Sequence, residues 1–341
     1  MPTPRLTLQP ATKPSGNRHT RSNEHTRRPE SDAPARKAGR RVEWAMSQVW
    51  ALMGTPLAVL ALAAVMALAG CGGAPEEVAM FRGGAARTGE HPGPGPEVAM
   101  GEVPVVAWRR ETGSDVRSSP AVVEGTVYVG SYDGYVYALD AQTGERRWRH
   151  ETGGDVQSSP AVANGTVYVG SFDNHVYALD AQTGEPQWRY ETKGEVRSSP
   201  AVVEDTVYVG SVGGYVHALD AQTGEPQWRY ETGSVYYSLA VVDGTVYVGS
   251  SNDRLHALDA QTGERQWRYQ TDVSSSPAVV DGTVYVGGSR YALHALDAQT
   301  GERRWRHETE GYVVSPVVVE GTVYVGSFDN HVYALRGPDG R

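Results

Sequence analysis

The chain has 341 residues and a formal net charge of −9, with 40 glycines, 20 prolines, 19 tyrosines and a single cysteine. One thiol excludes an internal disulfide, a CxxC zinc site and a dithiol redox centre, because each of these needs at least two cysteines. Glycine and proline interrupt helices and mark turns, so this composition argues against a helical protein.

The start of the chain differs in charge from the rest. Residues 1–49 carry ten basic and four acidic side chains, residues 50–70 carry none, and the remaining 271 residues have a net charge of −15. We interpret residues 1–45 as a disordered basic leader or a misassigned translation start. An acidic body lacks the clustered cations that phosphate groups require, so we expect no nucleic-acid partner.

An apolar run from Trp50 to Gly70 follows the basic segment. Such a run is long enough to span a bilayer, but small residues before a cleavage point are typical of a signal peptide. Leu68-Ala69-Gly70-Cys71 resembles the lipobox of bacterial lipoproteins, which implies cleavage before Cys71 and lipid attachment to it. We therefore predict a lipoprotein signal peptide over residues 46–70, with a transmembrane anchor or ordinary secretion as alternatives. Gly72 follows in place of the aspartate that favours the inner membrane, so the resemblance favours the outer membrane.

The acidic body is built of internal repeats. The string TVYVG occurs six times, DAQTGE occurs five times, and tryptophans recur at residues 108, 148, 188, 228, 267 and 305. A period of about 40 residues rich in strand formers is typical of a β-propeller blade. We assign residues 71–102 to a linker and lead-in, residues 103–337 to a propeller and residues 338–341 to a tail.

Each repeat divides into four short strands joined by turns that contain Gly, Asn or Asp. In the first repeat we predict strands over Ser118–Val123, Thr126–Ser131, Tyr135–Asp140 and Arg146–Glu151. A further tryptophan strand, Val105–Glu111, precedes them, and the last repeat lacks one. The sequence therefore predicts an all-β propeller of six four-stranded antiparallel blades, closed by pairing of the N-terminal strand with the last blade.

The motif TVYVGSYDGYVYALDAQTGERRW resembles the PQQ-type β-propeller repeat of quinoprotein dehydrogenases and of BamB-like lipoproteins. The segments Met80–Gly83 and Arg87–Gly89 resemble the lead-in of many secreted proteins of this type. The BamB-like members imply a role in outer-membrane protein assembly beside the β-barrel assembly machinery. Both kinds of relative have eight blades, whereas six are predicted here and residues 74–103 are too few for two more.

The resemblance to quinoprotein dehydrogenases implies PQQ held over Ca²⁺, an acidic base and a vicinal cysteine pair, which this chain lacks. Acidic candidates occupy one position in the turn between the second and third strands of four repeats: Asp133, Asp173, Asp253 and Asp329. We interpret them as turn caps, with Ca²⁺ binding or catalysis as the alternative. We expect no catalytic residue, metal or cofactor, and PQQ or Ca²⁺ remains the alternative.

Other repeated side chains have structural interpretations. The third strand carries, at one equivalent position, Tyr137, Tyr177, His217, His256, His294 and Tyr333. A zinc ion needs donors about 2 Å away, and equivalent positions on neighbouring blades are farther apart, so we predict polar packing for these histidines. We expect the repeated tryptophans to dock between blades. Turns are expected at the repeated aspartates Asp140, Asp180, Asp220, Asp259 and Asp297.

A binding surface is expected where nearly identical repeats differ. The residue before the first strand varies, and in propellers of this type that strand is innermost, so this row borders the central channel. The turns between the second and third strands vary as well. Tyr, Phe and Arg are the residues enriched at binding hot spots, with neutral drift on tolerant loops as the alternative. The predicted surface comprises Arg117, Gln157, Arg197, Tyr236, Tyr237, Phe172, Asn174, Arg254, Arg290, Tyr291, Phe328 and Asn330.

Together these features predict a non-enzymatic envelope lipoprotein whose propeller binds envelope proteins, with outer-membrane protein assembly as the process that the resemblance implies. A PQQ- or metal-dependent oxidoreductase is one alternative. A surface propeller for adhesion, sensing or saccharide binding is the other. We expect a monomeric propeller held at the outer membrane through lipidated Cys71.

Overall fold

The computed structural model describes residues 105–288 and 290–337 of the chain. Every helix or strand in these two ranges is a β-strand, and the 23 strands form six sheets, which we call blades one to six. Neighbouring strands pair antiparallel in sequence order, with four strands in each of the first five blades and three in the sixth. The predicted leader, signal peptide, Cys71 and tail lie outside the described residues. Within the described ranges, no helix has the length and apolar character needed to cross a bilayer.

The strands have the following bounds. Blades one and two comprise β1 (Ala121–Val123), β2 (Thr126–Gly130), β3 (Tyr135–Asp140), β4 (Arg146–Glu151), β5 (Ala161–Ala163), β6 (Thr166–Gly170), β7 (His175–Asp180) and β8 (Pro186–Glu191). Blades three and four comprise β9 (Ala201–Val203), β10 (Thr206–Gly210), β11 (Tyr215–Asp220), β12 (Pro226–Glu231), β13 (Ala240–Val242), β14 (Thr245–Ser250), β15 (Arg254–Asp259) and β16 (Arg265–Gln270). Blades five and six comprise β17 (Ala278–Val280), β18 (Thr283–Gly288), β19 (Ala292–Asp297), β20 (Arg303–Glu308), β21 (Val317–Val319), β22 (Thr322–Gly326) and β23 (Val332–Leu335).

The predicted strands of the first repeat are confirmed, although β1 is shorter than expected. The bounds of β3 and β4 coincide with the prediction, whereas β1 begins at Ala121 instead of Ser118. Pro120 has no N–H to offer a strand ladder. The hydroxyl of Ser118 accepts a hydrogen bond from the N–H of Gly130 over 2.8 Å, so this residue serves the second strand through its side chain.

The hydrophobic core lies between blades. Alternate residues of a strand point to opposite sides of its sheet, and we call the side towards the following blade the trailing face and the opposite side the leading face. On blade one, Tyr128 and Val136 of the trailing face are 4% and 0% exposed and pack against Val167 and Leu179 on the leading face of blade two. Equivalent clusters fill the next four junctions. Burial on both faces explains why the second strands are apolar throughout.

The first strands of consecutive blades lie side by side and are therefore the innermost strands, as predicted. A row of hydrogen bonds links them. The N–H of Ser119 donates to the hydroxyl of Ser159, and the N–H of Ser159 donates to the hydroxyl of Ser199, each over 2.9 Å. The row continues at 3.0 Å through Ser238, Ser276 and Ser315, and we call it the serine ladder.

The repeated tryptophans dock between blades, as predicted. The indole N–H of Trp148 donates to the carbonyl of Ala181 in blade two over 2.9 Å, and the hydroxyl of Tyr128 donates to the same oxygen over 3.0 Å. The indole ring lies over Gly184, where an added Cβ would be 2.6 Å from the ring. The indole bond recurs at Trp188, Trp228 and Trp267. Trp305 differs, because it is 37% exposed and has no such bond within the described ranges.

The predicted N-terminal strand is not formed. Residues 105–112 belong to no sheet, so blade six has only β21, β22 and β23 among the described residues. The segment is held on blade one instead: the indole of Trp108 donates to the carbonyl of Ala141, and Arg110 Nε donates to the carbonyl of Gly144, each over 2.9 Å. The six-bladed propeller is thus confirmed, but the pairing expected between the N-terminal strand and the last blade is absent from the described ranges.

Candidate binding surface

Three of the acidic candidates are turn caps. One carboxylate oxygen of Asp133 accepts hydrogen bonds from the N–H of Gly113 and the hydroxyl of Tyr137, each over 2.6 Å, and the other accepts from the N–H of Tyr135 over 3.1 Å. Burial would raise the pKa of Asp133, but these hydrogen bonds outweigh it and lower the pKa below its usual value. Asp173 and Asp329 make the same set of bonds. All three carboxylates are therefore committed to their own turns.

The prediction that Asp253 occupies the same position was wrong. Asp253 is three residues before His256 on the third strand, whereas Asp133 is four residues before Tyr137. Asn252 occupies the equivalent position, and its side chain donates to the carbonyl of Thr232 over 3.0 Å. This turn position therefore holds an aspartate only in the repeats whose third strand carries a tyrosine in place of a histidine. In those repeats the tyrosine hydroxyl donates a hydrogen bond to the aspartate.

The three histidines are buried in the tyrosine position, as predicted. His217, His256 and His294 are 1%, 3% and 8% exposed. A tyrosine ring of the preceding blade packs edge-on against each of them at 5.4 to 5.7 Å. Burial, aided by nearby arginines, lowers the pKa of each imidazole to about 4. Neither ring nitrogen of His256 has a hydrogen-bond partner in the described part of the chain. These residues act as neutral aromatic packing groups at neutral pH.

The residues that PQQ and Ca²⁺ would need are not brought together. Within the described ranges, no group of three or more His, Cys, Asp or Glu side chains is arranged to hold a metal ion. Three of the acidic candidates, Asp133, Asp173 and Asp329, are tied to separate turns by hydrogen bonds, so they offer no shared set of free carboxylate oxygens. The donor set of a quinoprotein centre therefore does not fit this arrangement.

Five of the predicted binding residues form one continuous surface across blades one to four. The guanidinium of Arg117 lies 4.7 Å from the ring centroid of Tyr132, whose hydroxyl donates to Gln157 over 2.9 Å. The rings of Tyr132 and Phe172 are 5.8 Å apart. The guanidinium of Arg197 lies 4.8 Å from the ring of Phe172 and 5.7 Å from that of Tyr236. We call Arg117, Tyr132, Gln157, Phe172, Arg197 and Tyr236 the arginine–aromatic ladder.

The local structure explains how these side chains meet. The residue before a first strand and the turn between the second and third strands lie at the same end of a blade, since the first two strands are antiparallel. A backbone hydrogen bond within blade two, from the N–H of Phe172 to the carbonyl of Asp155 over 2.9 Å, fixes the turn that carries Phe172. The ring of Phe172 then contacts Arg197 of blade three, so the turn links two blades. Tyr132 was missing from the predicted set. The variation of its turn was visible in the sequence, but its central place depends on contacts between blades.

Both arginines of the ladder are paired with acids two residues earlier, in the segment that precedes the first strand of the blade. Arg117 lies 3.3 Å from the carboxylate of Asp115, and Arg197 lies 2.6 Å from that of Glu195. The side chains of Arg117 and Arg197 are 59% and 36% exposed. These pairs hold the planar guanidinium groups over the rings while leaving part of each group open to solvent. The surface therefore offers stacking and hydrogen bonding with little net charge.

Blade four departs from the pattern at the ladder's end, as expected. In blades one, two, three and five, a serine hydroxyl accepts from the N–H of the glycine that closes the second strand. Tyr237 replaces that serine and is 39% exposed, beside Tyr236 at 42%. Burial of part of its ring raises the pKa of Tyr237. Two adjacent tyrosines thus extend the surface towards the inner strands.

Two of the predicted residues belong to a separate exposed cluster. The ring of Tyr312 lies 5.5 Å from that of Tyr291 and 5.9 Å from that of Phe328, both in edge-on geometry. We call these three residues the aromatic triad. Tyr291 and Tyr312 are each 46% exposed, and Phe328 is 70% exposed. Tyr312 was not predicted, because it lies outside the variable turns. The triad spans blades five and six and does not contact the ladder in the described ranges.

The remaining predicted residues have local roles. Asn174 and Asn330 have φ values of 71° and 70°, which asparagine tolerates better than most residues. Arg290 donates to the carboxylate of Asp272 over 2.6 Å. Arg254 begins β15 and pairs with Gln270 of β16. These four are not joined to the ladder, so the predicted surface divides into a ladder, a triad and isolated turn residues.

Two clefts lie elsewhere on the propeller. One of about 820 Å³ is bordered by His150, Asp173 and Trp188 at the outer side of blades one and two. Another of about 530 Å³ is bordered by Tyr285, Trp305 and Leu335 beside blades five and six. Neither includes a residue of the ladder. The ladder lies outside these two clefts, and Arg117 and Tyr236 in it are 59% and 42% exposed.

Antiparallel four-stranded blades, contacts between their inner strands and indoles that dock on the next blade define a β-propeller of PQQ-type repeats. Residues 101–281 match the family model described as "Beta-alanine-activating enzyme, beta-propeller", and the chain belongs to this β-propeller family. Residues 270–341 match the model described as "Outer membrane protein assembly factor BamB". The propeller is thus BamB-like.

Solved structures share this fold at low sequence identity. BamB from Moraxella catarrhalis is 23% identical, with 70% of this chain and 78% of that chain covered and a TM-score of 0.62. The computationally designed Ika8 protein is 19% identical, with 67% and 73% covered and a TM-score of 0.60. The quinohemoprotein alcohol dehydrogenase ADHIIG from Pseudomonas putida HK5 is 20% identical, with 67% and 52% covered and a TM-score of 0.54. No curated protein matches the chain.

Proposed function

We propose that the protein is a non-enzymatic lipoprotein of the outer membrane whose propeller binds envelope proteins in outer-membrane protein assembly. The arginine–aromatic ladder carries this proposal. Its side chains are of the types enriched at protein-binding hot spots, and they form one surface on a rigid set of blades. The match of residues 270–341 to the BamB family model supports the choice of process. The lipobox at Leu68–Cys71 supports the lipid anchor.

The chemistry of the ladder favours a polypeptide partner. Stacked guanidinium and phenol groups accept aromatic, aliphatic and carboxylate side chains without requiring a single ligand shape. Because Arg117 and Arg197 are already paired with acids, the surface has no strong attraction for a highly charged polyanion. The ladder is also open, whereas small-molecule sites are usually concave.

A capture experiment with matched variants tests the protein-binding role. The tagged protein is cross-linked in cells and purified from detergent-solubilised membranes, and its partners are identified by mass spectrometry. We expect a β-barrel assembly subunit to co-purify with the unaltered protein and to be reduced at least tenfold by the double substitution R197A/Y236A, as for loss of a hot spot. Arg149→Ala is the control, because Arg149 also stacks on a tyrosine, at 4.5 Å from Tyr135, but on the outer strand β4. Equal capture by all three proteins would contradict the role of the ladder.

Two further measurements separate the alternatives. Labelling with a fatty-acid analogue should mark the unaltered protein and leave the Cys71→Ser variant unlabelled, and label in the variant would contradict lipidation at this residue. Titration with PQQ and Ca²⁺ should give no stoichiometric binding and no dye reduction. Tight binding with reduction of the dye would replace the scaffold by an oxidoreductase.

A further inference from the structure

Blade six has a bare trailing face. Tyr324 and Val332 on this face are 40% and 80% exposed, whereas Tyr128 and Val136 at the equivalent positions of blade one are 4% and 0% exposed. On its leading face, by contrast, Val323 and Val325 are buried at 3% and 2% against blade five. Exposure of the trailing face is therefore a property of the end of the array and not of a poorly formed blade.

Two contacts that mark every earlier junction are missing after blade six. The serine ladder ends at Ser315, whose N–H makes no bond to the hydroxyl of Ser119 in the described ranges. The hydroxyl of Tyr324 likewise makes no bond to the carbonyl of Ala141, although the indole of Trp108 does. The trailing face of the last blade and the leading face of the first blade are thus both present and are not joined.

The two end faces are complementary because the repeats are nearly identical in sequence. The same trailing and leading side chains meet at five internal junctions. Blade one still has uncovered area on its leading face, since Val122 and Val127 are only half-buried, whereas Val162 and Val167 of blade two are 6% and 0% exposed. Each end also lacks what the other has: among residues 105–288 and 290–337, blade six has no fourth strand, and residues 105–112 belong to no sheet.

The N-terminal segment is held on blade one by the contacts that a fourth strand makes with the following blade, since Trp108 bonds to Ala141 as Trp148 bonds to Ala181. The segment can therefore stay docked on blade one while it pairs with β23 of a blade six. Ends that share a chain meet at a high effective concentration whenever geometry permits, yet they are apart.

We propose that the trailing face of blade six binds the leading face and N-terminal segment of blade one in a second copy of this chain. The copies associate head to tail, and residues 105–111 of one copy supply the fourth strand of blade six in the other. Such an interface is heterologous, so a pair of copies keeps one free end of each kind and the assembly extends beyond a dimer. This replaces the expected monomeric propeller by a self-associating one.

Disulfide trapping tests the proposal, with Cys71→Ser as the background so that only added thiols react. Neighbouring ladder serines lie close enough for a disulfide, because the N–H of one bonds to the hydroxyl of the next over about 3 Å. One protein carries Ser315→Cys and a second carries Ser119→Cys. We expect oxidation of the mixture to give a disulfide-linked pair that contains one of each. A single chain with both substitutions should give a series of linked multimers. The variant S159C/S199C is the internal control and should close within one chain.

A charge in the interface provides the second arm. Tyr324→Lys should reduce trapping at least tenfold, whereas Tyr237→Lys, at a residue of nearly equal exposure in blade four, should leave it unchanged. Light scattering over a roughly hundredfold range of concentration should show a mass that rises with concentration for the unaltered protein only. A monomer-sized product from the chain with both cysteines would mean closure within one chain and would overturn the proposal. A constant monomer mass would overturn it as well, whatever the trapping result.

Discussion

The buried histidine of blade four predicts a specific loss of stability in acid. His256 is 3% exposed, and burial, followed by the charges of Arg254, Arg265 and Arg268, lowers its pKa from 6.5 to about 4. The unfolded chain therefore binds a proton at a higher pH than the folded one. Stability from the neutral imidazole is fully present above pH 6.5 and is lost as the pH falls from 6.5 towards 4. At pH 5 the loss is about 2 kcal/mol, because one pKa unit corresponds to about 1.4 kcal/mol.

Substitution by phenylalanine isolates this effect. Neither ring nitrogen of His256 has a hydrogen-bond partner in the described ranges, so His256→Phe removes the titrating group without breaking a bond. We expect the variant to match or exceed the unaltered protein in stability at pH 7 and to lose about 2 kcal/mol less on transfer to pH 5. Urea unfolding followed by tryptophan fluorescence at the two pH values measures both quantities.

The equivalent tyrosine of blade one serves as the control. Tyr137→Phe removes the hydrogen bond to Asp133 and should cost about 1 kcal/mol. That cost should be the same at pH 7 and pH 5, because the pKa of Asp133 lies below its usual value and that of Tyr137 above 10. An equal loss between pH 7 and pH 5 for His256→Phe and the unaltered protein would refute the argument that the neutral imidazole carries the acid sensitivity.

Two further predictions concern backbone positions. In urea unfolding, Gly184→Ala should lower the free energy of unfolding by about 2 kcal/mol more than Gly165→Ala. Both glycines have φ above 70°, but only a Cβ at Gly184 meets the indole of Trp148. Equal losses would show that the indole does not need this glycine. Tyr291→Asn should raise the free energy of unfolding by about 1 kcal/mol, since Tyr291 has a φ of 57° that asparagine tolerates better. Tyr312→Asn in the same aromatic triad is the control and should give no such gain. A loss of stability for Tyr291→Asn would mean that the ring contacts of Tyr291 outweigh the backbone strain.

The fold could be predicted from the sequence because each repeat contains the same local signals for strands, turns and contacts between blades. Alternating valine and tyrosine, Asn and Gly at turns, and one tryptophan per repeat define strands, hairpins and docking points. The pairing of Val105–Glu111 could not be predicted, because Trp108 makes the same contact with blade one whether or not its own segment joins the last blade. The distinction depends on the relative position of blades, which no single repeat specifies.

The candidate site was predicted less completely. Arg117, Gln157, Arg197, Phe172 and Tyr236 were identified from variation alone, and the structure brings them together. Tyr132 and Tyr312 were missed because their importance comes from rings of neighbouring blades. Asp253 was misplaced because it directly follows Asn252 in a turn of unchanged length, and Asn252 is the residue that occupies the position of Asp133.

The uniform junctions also bear on how the chain can change over generations. Because each blade offers its neighbour the same tryptophan, tyrosine and serine contacts, a 40-residue unit can be gained or lost by recombination between nearly identical stretches of coding sequence without creating a new interface. The number of blades can then change without altering any contact between blades, whereas substitution of a core residue alters such contacts.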